Sequence, residues 1–534
     1  MKTLHRVVTA AFGASLLVGC SNRPDTAQTT PPPAPTPALP NDPHAFPEEA
    51  FRATQPPPSQ PRAFQRPAAQ PFTLSNGLEV YLIERHQLPI VSTTLFFDAG
   101  SADDPKGKSG RAKLCMDLLI EGTKKLDKAA YDEALADIAS RVRARSTSDT
   151  LSLSFATLTN HIDATVDLWV QALRTPAHDQ ADLERLVKKR RQELQQMKGS
   201  APKVARRIAA NVLYGDHHPR GRLVTETSLS QLSVADCKRH HRDYLKPEGA
   251  KLLVVGDLTQ SQVLAKFEPT LSGWKGRPKA PVRSSSADAK PRAGKIFFVD
   301  MPGAAQSAIT VTHFGPARQA PDFFATKMMS AVLGGGFSSR VNMNLRESKG
   351  YSYGAGGGFS YEHDHGRFAL GTSVRSDATH QSILELFAEL NGIKTGARPV
   401  TQAELDREKN GAILALPAKF ATSWATASMY TRLLYYGFPL DYYNGYVDAV
   451  SQVSLAQATT AAQTHLQPHS SRVVVVGDAK ATMIRHTDDG QDVPMLDAAG
   501  QPVTLLAALK SLAASGSIGP GGLVSLDADA VVQD

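Results

Sequence analysis

The chain has 534 residues and a formal net charge of +8, and this length is sufficient for more than one hydrophobic core. Lysine and arginine outnumber aspartate and glutamate by only 59 to 51, and the excess is spread along the sequence. The densest basic run, KKRR at residues 188–191, lies in a helical pattern between Glu184 and Glu193, which is typical of a solvated helix face. No basic segment is interleaved with aromatic residues, so the composition argues against nucleic-acid binding.

The first nineteen residues have the pattern of a bacterial signal peptide. Lys2 and Arg6 precede a mostly apolar stretch over residues 7–18, which is too short to cross a bilayer. The stretch ends in LVGC at residues 17–20 and resembles the lipobox of bacterial lipoproteins, whose cysteine is acylated and becomes the first residue; an ordinary signal peptide is the alternative. We therefore expect removal of residues 1–19 and a lipid anchor on Cys20. Ser21 follows in place of an aspartate, so the outer membrane is favoured, with the protein facing the periplasm.

Residues 20–71 are predicted to form a proline-rich tether, because their composition cannot bury a core. Globular sequence begins at Phe72, where an alternating strand pattern follows. Besides Cys20 the chain has two cysteines, Cys115 and Cys237, and two cysteines this far apart do not indicate a disulfide framework. Cys115 lies in an apolar Leu-Cys-Met run, so we expect it to be a buried thiol.

The folded part divides into two related modules. Residues 277–294 are rich in proline, serine and charge and are predicted to be a linker between modules at 72–276 and 295–485, with a C-terminal extension at 486–534. The segment KLLVVGD at 251–257 matches RVVVVGD at 472–478, and QLSV at 231–234 matches QVSL at 452–455, both 221 positions apart. A constant offset indicates a duplicated module. Amphipathic helical patterns between the strands predict an α/β (α+β) fold in which each module is a sheet packed with helices.

One helix of the first module carries a recognisable signature. The segment GRAKLCMDLLIEGT at 110–123 resembles the helix of pitrilysin/insulinase-type zinc peptidases that carries His-x-x-Glu-His between Gly-x-Ala and Gly-Thr. Two histidines at i and i+4 share a helix face and bind zinc, and the glutamate acts as the base. The resemblance places Lys113, Met116 and Asp117 at those three positions and Glu193 at the third metal ligand. It covers nearly all of residues 72–485 and implies the two-module metallohydrolase fold of the mitochondrial processing peptidase.

These replacements remove the expected chemistry. Lys113 is a cation where a ligand is needed, and Met116 has no useful basicity, whereas Asp117 and Glu193 alone retain a ligand atom. The alternative interpretation of Lys113 and Asp117 is an ordinary i,i+4 ion pair on a packed helix, which we favour. No metal is expected on this chain.

The second module keeps a different part of the family pattern. The segment NLRESKGYSY at 344–353 resembles the one in which bacterial heterodimeric members carry an arginine and a tyrosine seven residues apart, here Arg346 and Tyr353. A guanidinium can bind a carbonyl or carboxylate, and a phenol can donate to an oxyanion. The alternative is that Arg346 pairs with Glu347 and Tyr353 packs in a sheet.

Two other patterns are assigned structural roles. The glycine runs at 334–336 and 354–358 lack the lysine and serine or threonine of a phosphate-binding loop, so close packing and turns are expected. Glu362-His-Asp-His365 looks like a metal cluster, but it lies between strand-like runs and is predicted to be a polar hairpin tip.

The resemblance implies a lipid-anchored family member that is inactive alone and supplies Arg346 and Tyr353 to a heterodimer. The zinc would be on the partner subunit, and the substrate would be peptide or unfolded polypeptide. Two alternatives remain: a binding or assembly scaffold without a peptidase role, and a residual metal-dependent endopeptidase using Asp117 and Glu193.

Overall fold

A computed structural model of the protein describes residues 65–487 and 489–533. The predicted signal peptide, the predicted lipidation site at Cys20 and most of the predicted tether lie outside the described residues. Among the helices described, none combines the length and the apolar character needed to cross a membrane.

The first half of the folded chain is a six-stranded sheet with helices. Its strands are β1 (Gln70–Thr73), β2 (Glu79–Glu84), β3 (Ile90–Phe97), β4 (Arg141–Ser146), β5 (Leu151–Leu158) and β6 (Lys251–Gly256). Its helices are α1 (Arg111–Leu118), α2 (Lys128–Asp137), α3 (Ile162–Arg174), α4 (Gln180–Lys198), α5 (Ala201–Tyr214), α6 (Glu226–Ser230), α7 (Val234–Tyr244) and α8 (Gln260–Leu271). The strand order is β1-β2-β6-β3-β5-β4, so β4 is an edge strand.

The second half repeats this plan. Its strands are β7 (Ile296–Asp300), β8 (Gln306–Gly315), β9 (Ser352–Tyr361), β10 (Gly366–Arg375), β11 (Arg472–Gly477), β12 (Ile484–His486), β13 (Asp492–Pro494) and β14 (Leu523–Leu526). Its helices are α9 (Phe323–Gly334), α10 (Arg340–Asn342), a π-helical turn (Met343–Ser348), α11 (Thr379–Thr395), α12 (Gln402–Leu414), α13 (Ser423–Tyr436), α14 (Tyr446–Ser451), α15 (Leu455–His465) and α16 (Leu505–Ser515). The order of its large sheet is β14-β7-β11-β8-β10-β9.

The predicted fold class is confirmed, and the duplication is visible in equivalent elements. Helices α7 and α15 begin after Ser233 and Ser454, 221 positions apart, and each serine accepts a hydrogen bond from the backbone three residues on. The strands that follow, β6 and β11, each lie parallel to one neighbour and antiparallel to the other. Both are buried on both faces, which explains their uninterrupted apolar runs.

The two sheets differ at one edge. In the first sheet β1 lies antiparallel to β2, whereas in the second β14 lies parallel to β7. Strand β14 comes from the segment 486–534, and Leu505, Leu509 and Leu512 of α16 are buried in the core of the second half. This C-terminal segment is therefore an integral part of the second half's sheet and core.

Each half covers part of the other's sheet with one helix. Val204, Ile208 and Val212 of α5 lie in one apolar cluster with strands β7, β8 and β11 of the second half. Conversely, Tyr430 and Leu433 of α13 belong to a cluster that includes residues of β2 and β6 in the first half. The two halves thus share their cores.

The prediction for the cysteines is wrong. Cys115 on α1 and Cys237 on α7 form a disulfide with a Cα–Cα distance of 4.9 Å. Both are buried in a small apolar cluster with Leu114, Leu118 and neighbours from α4 and α6. Packing of α1 against α7 brings together two residues that are 122 positions apart in sequence.

Candidate functional site

Helix α1 is fixed at its N-terminus by Asp104. Its carboxylate accepts hydrogen bonds from the backbone nitrogens of Gly110 and Ala112, both at 2.8 Å, which satisfies donors that a helix start leaves free. Burial raises the pKa of Asp104 to about 6, although these bonds and nearby Arg111 act in the opposite direction. Gly110 has a φ of +96°, a conformation that favours glycine. Gly110 of the motif is therefore well suited to the start of this helix.

The positions of the family's zinc ligands form a chain of ion pairs. Lys113 Nζ lies 2.5 Å from Asp117 Oδ1, as the i,i+4 interpretation predicts. The other oxygen of Asp117 accepts a hydrogen bond from Arg190 on α4, and Arg190 Nη1 lies 2.5 Å from Glu193 Oε2. Burial lowers the pKa of Arg190, but Asp117 and Glu193 outweigh this and the net shift is upward. Two cations and two anions thus neutralise one another.

These residues do not fit a zinc ion. Both oxygens of Asp117 are engaged by cations, and a divalent ion there would meet the charges of Lys113 and Arg190 at close range. Met116 is 1% exposed and packs in the core of the first half, so it does not face the ion pairs as a base would. Across the described ranges, no three histidine, cysteine, aspartate or glutamate side chains are grouped as metal ligands. We therefore derive no metal chemistry from this helix.

The second motif is exposed. Tyr353 on β9 is 88% exposed, and the side chain of Arg346 in the π-helical turn is 40% exposed. The Arg346 guanidinium lies 4.7 Å from the centre of the Phe337 ring, which is itself 62% exposed. Arg346 also lies 3.4 Å from Glu347, as the structural alternative expects, but both are on the surface. Tyr353 is not packed in the sheet.

Buried residues of the same segment hold these exposed side chains in place. Leu345 and Tyr351 are 1% and 2% exposed, and the Tyr351 nitrogen donates to the Leu345 carbonyl at 2.8 Å. The Tyr351 hydroxyl donates to Asp492 in β13 at 2.9 Å. The hairpin formed by β12 and β13 therefore supports the segment that carries Arg346 and Tyr353. The segment therefore has buried anchors at Leu345, Tyr351 and Ser352 and exposed side chains at Arg346 and Tyr353.

Further contacts fix both ends of the motif. Asn344 donates to Glu385 and Glu389 of α11, each at 2.9 Å. The Asn342 side-chain oxygen accepts from the Ala355 nitrogen at 3.1 Å, which links the start of the π-helical turn to β9. The backbone that carries Arg346 and Tyr353 is therefore well supported.

The glycine runs have the close-packing role predicted for them. A Cβ at Gly334 would lie 2.8 Å from the Gly357 carbonyl oxygen, and one at Gly358 would lie 2.3 Å from Ser330 Oγ. Helix α9 can therefore approach β9 only where both carry glycine. This contact sets the position of β9, the strand that carries Tyr353.

The hairpin tip is also confirmed, because Glu362 to His365 connect β9 and β10. Arg220 of the first half lies 2.8 Å from Glu362 and 2.7 Å from Asp149, and His365 Nε2 lies 2.8 Å from the Tyr214 hydroxyl. Burial lowers the pKa of His365 to about 4. The tip therefore joins the two halves instead of binding a metal. Sequence reasoning missed Asp149 and Arg220, because neither has a local signal.

A cavity of about 470 Å³ lies between the halves beside this network. Its floor is the face of β3 and β5, and its wall is α13, which contributes Trp424 and Tyr435. The Tyr435 hydroxyl donates to Asp149 at 3.0 Å. The cavity is thus lined by both modules.

The sequence matches two family models. The model described as "Insulinase (Peptidase family M16)" matches residues 79–224, and the one described as "Peptidase M16 inactive domain" matches residues 231–412. Together they span more than half of the chain, and one falls mainly on each half.

Similar proteins include both catalytic and non-catalytic types. A "Non-peptidase homolog YmxG" from Helicobacter pylori is 22% identical over 74% of this chain and 91% of its own length. A "Zinc protease PqqE" from the same organism is also 22% identical, over 64% of this chain and 78% of its own length.

Solved structures share the fold. A peptidase M16 inactive domain from Pseudomonas fluorescens has a TM-score of 0.71 at 22% identity, covering 77% of this chain and 98% of that one. The periplasmic protease PqqL from Escherichia coli has a TM-score of 0.65 at 15% identity, covering 82% of this chain and 48% of that one.

Proposed function

The chain belongs to the M16 (insulinase) family of peptidases and peptidase homologues, and from this premise we propose that it is a non-catalytic subunit that binds polypeptide and completes the active site of a zinc-carrying partner. The observation that carries the proposal is a contrast within the chain. The former metal site is closed by its own ion pairs, whereas Arg346 and Tyr353 are held open to solvent by a buried framework.

Each exposed side chain has a role in this proposal. Arg346 would hold a carbonyl or carboxylate of the bound polypeptide, and stacking on Phe337 orients its planar guanidinium without consuming its donors. The Tyr353 hydroxyl would donate to a developing oxyanion. Zinc on the partner would supply Lewis-acid chemistry when bound. An Arg346 with a purely structural role would be expected to have a partly buried carboxylate partner, as Arg190 and Arg340 have, whereas Glu347 beside Arg346 is 42% exposed.

The residual-endopeptidase alternative is not favoured. It requires Asp117 and Glu193 to bind metal, but Arg190 lies between them and contacts both. The scaffold alternative needs neither Arg346 nor Tyr353. Under the scaffold alternative, replacing Arg346 or Tyr353 should therefore leave the activity of a partner subunit unchanged.

The test is complementation with a family partner that carries His-x-x-Glu-His. Neither protein should cleave a fluorogenic peptide alone, and the mixture should. Arg346→Ala and Tyr353→Phe should each lower turnover by about tenfold or more, since one donor to an oxyanion is worth ~10²–10³ when fully preorganised and less when exposed. Arg239→Ala on α7, an exposed arginine away from the motif, should have no effect. Full activity of both variants, with the pair intact by gel filtration, would favour the scaffold.

We also propose that the chain works in the cell envelope, anchored through Cys20 to the outer membrane. The Cys115–Cys237 disulfide supports this, because structural disulfides persist in oxidising compartments such as the periplasm. The native protein should fractionate with membranes and carry an acyl mass, and Cys20→Ala should abolish both. A soluble, unmodified native protein would contradict the anchor without affecting the complementation result.

A further inference from the structure

The inter-half cavity, between the face of β3 and β5 and helix α13, is rich in hydroxyl groups. Thr94 and Ser152 line its floor, and Ser428 and Thr431 of α13 line its wall. In the part of the chain that the structure describes, none of these four hydroxyls makes a hydrogen bond. Each hydroxyl can donate one hydrogen bond and accept two, so the cavity presents a set of unused polar groups to a ligand.

An exposed indole lies in the same cavity. Trp424 of α13 is 39% exposed, whereas the other two tryptophans, Trp169 and Trp274, are 0% and 7% exposed. Tyr435 lines the same wall. Aromatic rings give a ligand a large apolar surface with a negative face, on which the C–H groups of a sugar ring can lie. An aromatic wall next to a hydroxyl-lined floor therefore matches a saccharide, which has an apolar face and a polar edge.

The charges of the cavity favour an anionic ligand. Arg145 of β4 and Arg432 of α13 line it and are exposed, and neither has an ion-pair partner among residues 65–487 and 489–533. The acidic residues of the lining, Asp149 and Glu362, lie 2.7 and 2.8 Å from Arg220 and are already paired. The two unpaired guanidinium groups are therefore available to a ligand, and their planar donor geometry suits a carboxylate.

The floor of the cavity suits a saccharide better than a polypeptide. It is the face of paired strands, and β3 and β5 use their backbone groups in their own ladder. A polypeptide lying on this face would find few backbone partners for its own N–H and C=O groups. The ring and hydroxyl groups of a saccharide need only the side chains that the face presents. The cavity volume of about 470 Å³ lies within the range of small-ligand sites, roughly 300–1,000 Å³.

We propose that the inter-half cavity binds a short acidic saccharide. One sugar ring lies against Trp424, and its hydroxyls exchange hydrogen bonds with Ser152 and Ser428. Carboxylates of the saccharide pair with Arg145 and Arg432. This site is additional to the proposed peptidase role, because the binding needs neither a partner subunit nor the exposed motif of the second half.

The test compares three probes on the full chain at constant ionic strength. Trigalacturonic acid should change the tryptophan emission saturably, because Trp424 is the exposed indole, and calorimetry should give the same affinity. The neutral counterpart, α-1,4-linked galactotriose, should bind about tenfold more weakly, since it lacks the carboxylates that would pair with the two arginines. An acetylated and amidated triglutamate peptide has the same three carboxylates without the sugar rings, and it should also bind about tenfold more weakly.

Variants locate the site by calorimetry, with circular dichroism to verify folding. Trp424→Ala should weaken binding of trigalacturonic acid by about tenfold or more, and Trp424→Phe, which keeps an aromatic face, should restore most of it. Arg145→Gln and Arg432→Gln should each weaken binding of the acidic saccharide several-fold and leave galactotriose unaffected. The control, Arg239→Gln, removes one charge from the exposed surface of α7 and should bind both probes normally.

Each outcome decides between interpretations. The absence of a saturable signal with trigalacturonic acid at millimolar concentration would overturn the proposal, as would normal binding by a folded Trp424→Ala variant. Triglutamate binding as tightly as the saccharide would show that the cavity recognises carboxylates on a peptide, which also overturns it. If the saccharide binds but no partner yields peptidase activity, the complementation role fails and this site stands. If complementation succeeds without saccharide binding, only this site fails.

Discussion

Removal of the Cys115–Cys237 disulfide should destabilise the first half substantially. The bond joins α1, which carries the former zinc positions, to α7 across 122 residues of sequence. Both cysteines are buried, so the replacement should be alanine, which avoids placing an unpaired hydroxyl in the apolar cluster. The informative variant is therefore Cys115→Ala with Cys237→Ala.

The magnitude follows from loop closure. In the chain-entropy description, a cross-link over about 120 residues lowers the entropy of the unfolded chain enough to stabilise the fold by about 4.9 kcal/mol at 25 °C. Melting entropy is about 2.1 cal/mol/K per residue, so if the first half melts as a unit of roughly 200 residues the melting temperature falls by about 12 °C. If both halves melt together, the same free energy gives a fall of about 5 °C.

The assay is calorimetry with and without a phosphine reductant. Reduction should lower the melting temperature of the native chain and should leave the double variant unchanged. The double substitution should lower the melting temperature at least as much as reduction does, because it also removes two buried sulfur atoms. Non-reducing peptide mapping should yield a linked peptide containing Cys115 and Cys237. Two titratable thiols in the denatured, unreduced chain, together with a melting temperature insensitive to reductant, would refute the reasoning.

Three further outcomes are expected. The purified chain should contain well under one equivalent of zinc by elemental analysis, because Asp117 is already paired with Arg190 and Lys113. Stoichiometric, tightly bound zinc would contradict this. Arg340 and the Thr401 cap outweigh burial and lower the pKa of Glu404 from 4.5 to about 2, so the stability advantage of the native chain over Glu404→Gln, about 2 kcal/mol above pH 5, should shrink as pH falls from 4.5 to 2 in denaturant titrations. Tyr351→Phe should cost about 1 kcal/mol and lower turnover in the complemented pair, and a variant with unchanged stability would show that Asp492 does not brace the motif.

Local patterns predicted the fold because each element carries its own signal. The apolar strands β6 and β11, the serine caps of α7 and α15 and the offset of 221 residues can all be read without knowing any long-range contact. The Lys113–Asp117 pair was predictable for the same reason, since i,i+4 neighbours share a helix face. The contact of Arg190 with Asp117 was not predictable from the sequence, because Arg190 lies on another helix, 73 residues beyond Asp117.

Long-range contacts account for what the sequence did not indicate. The apolar stripe of α5, with Val204, Ile208 and Val212 one turn apart, shows that one face is buried but not which sheet buries it. Nothing near Cys115 indicates that α7 brings Cys237 beside it.

Each half covers part of the other half's sheet with one helix, and this explains why a half without a working metal site would be retained. Removing the first half would uncover Phe297, Val299 and Val476, which α5 now buries against the second sheet. Exposing a patch of this kind on the half that carries Arg346 and Tyr353 would favour aggregation. The first half can therefore carry Lys113 in place of a ligand and Met116 in place of the base, but it cannot lose α5 without exposing this apolar face of the second half.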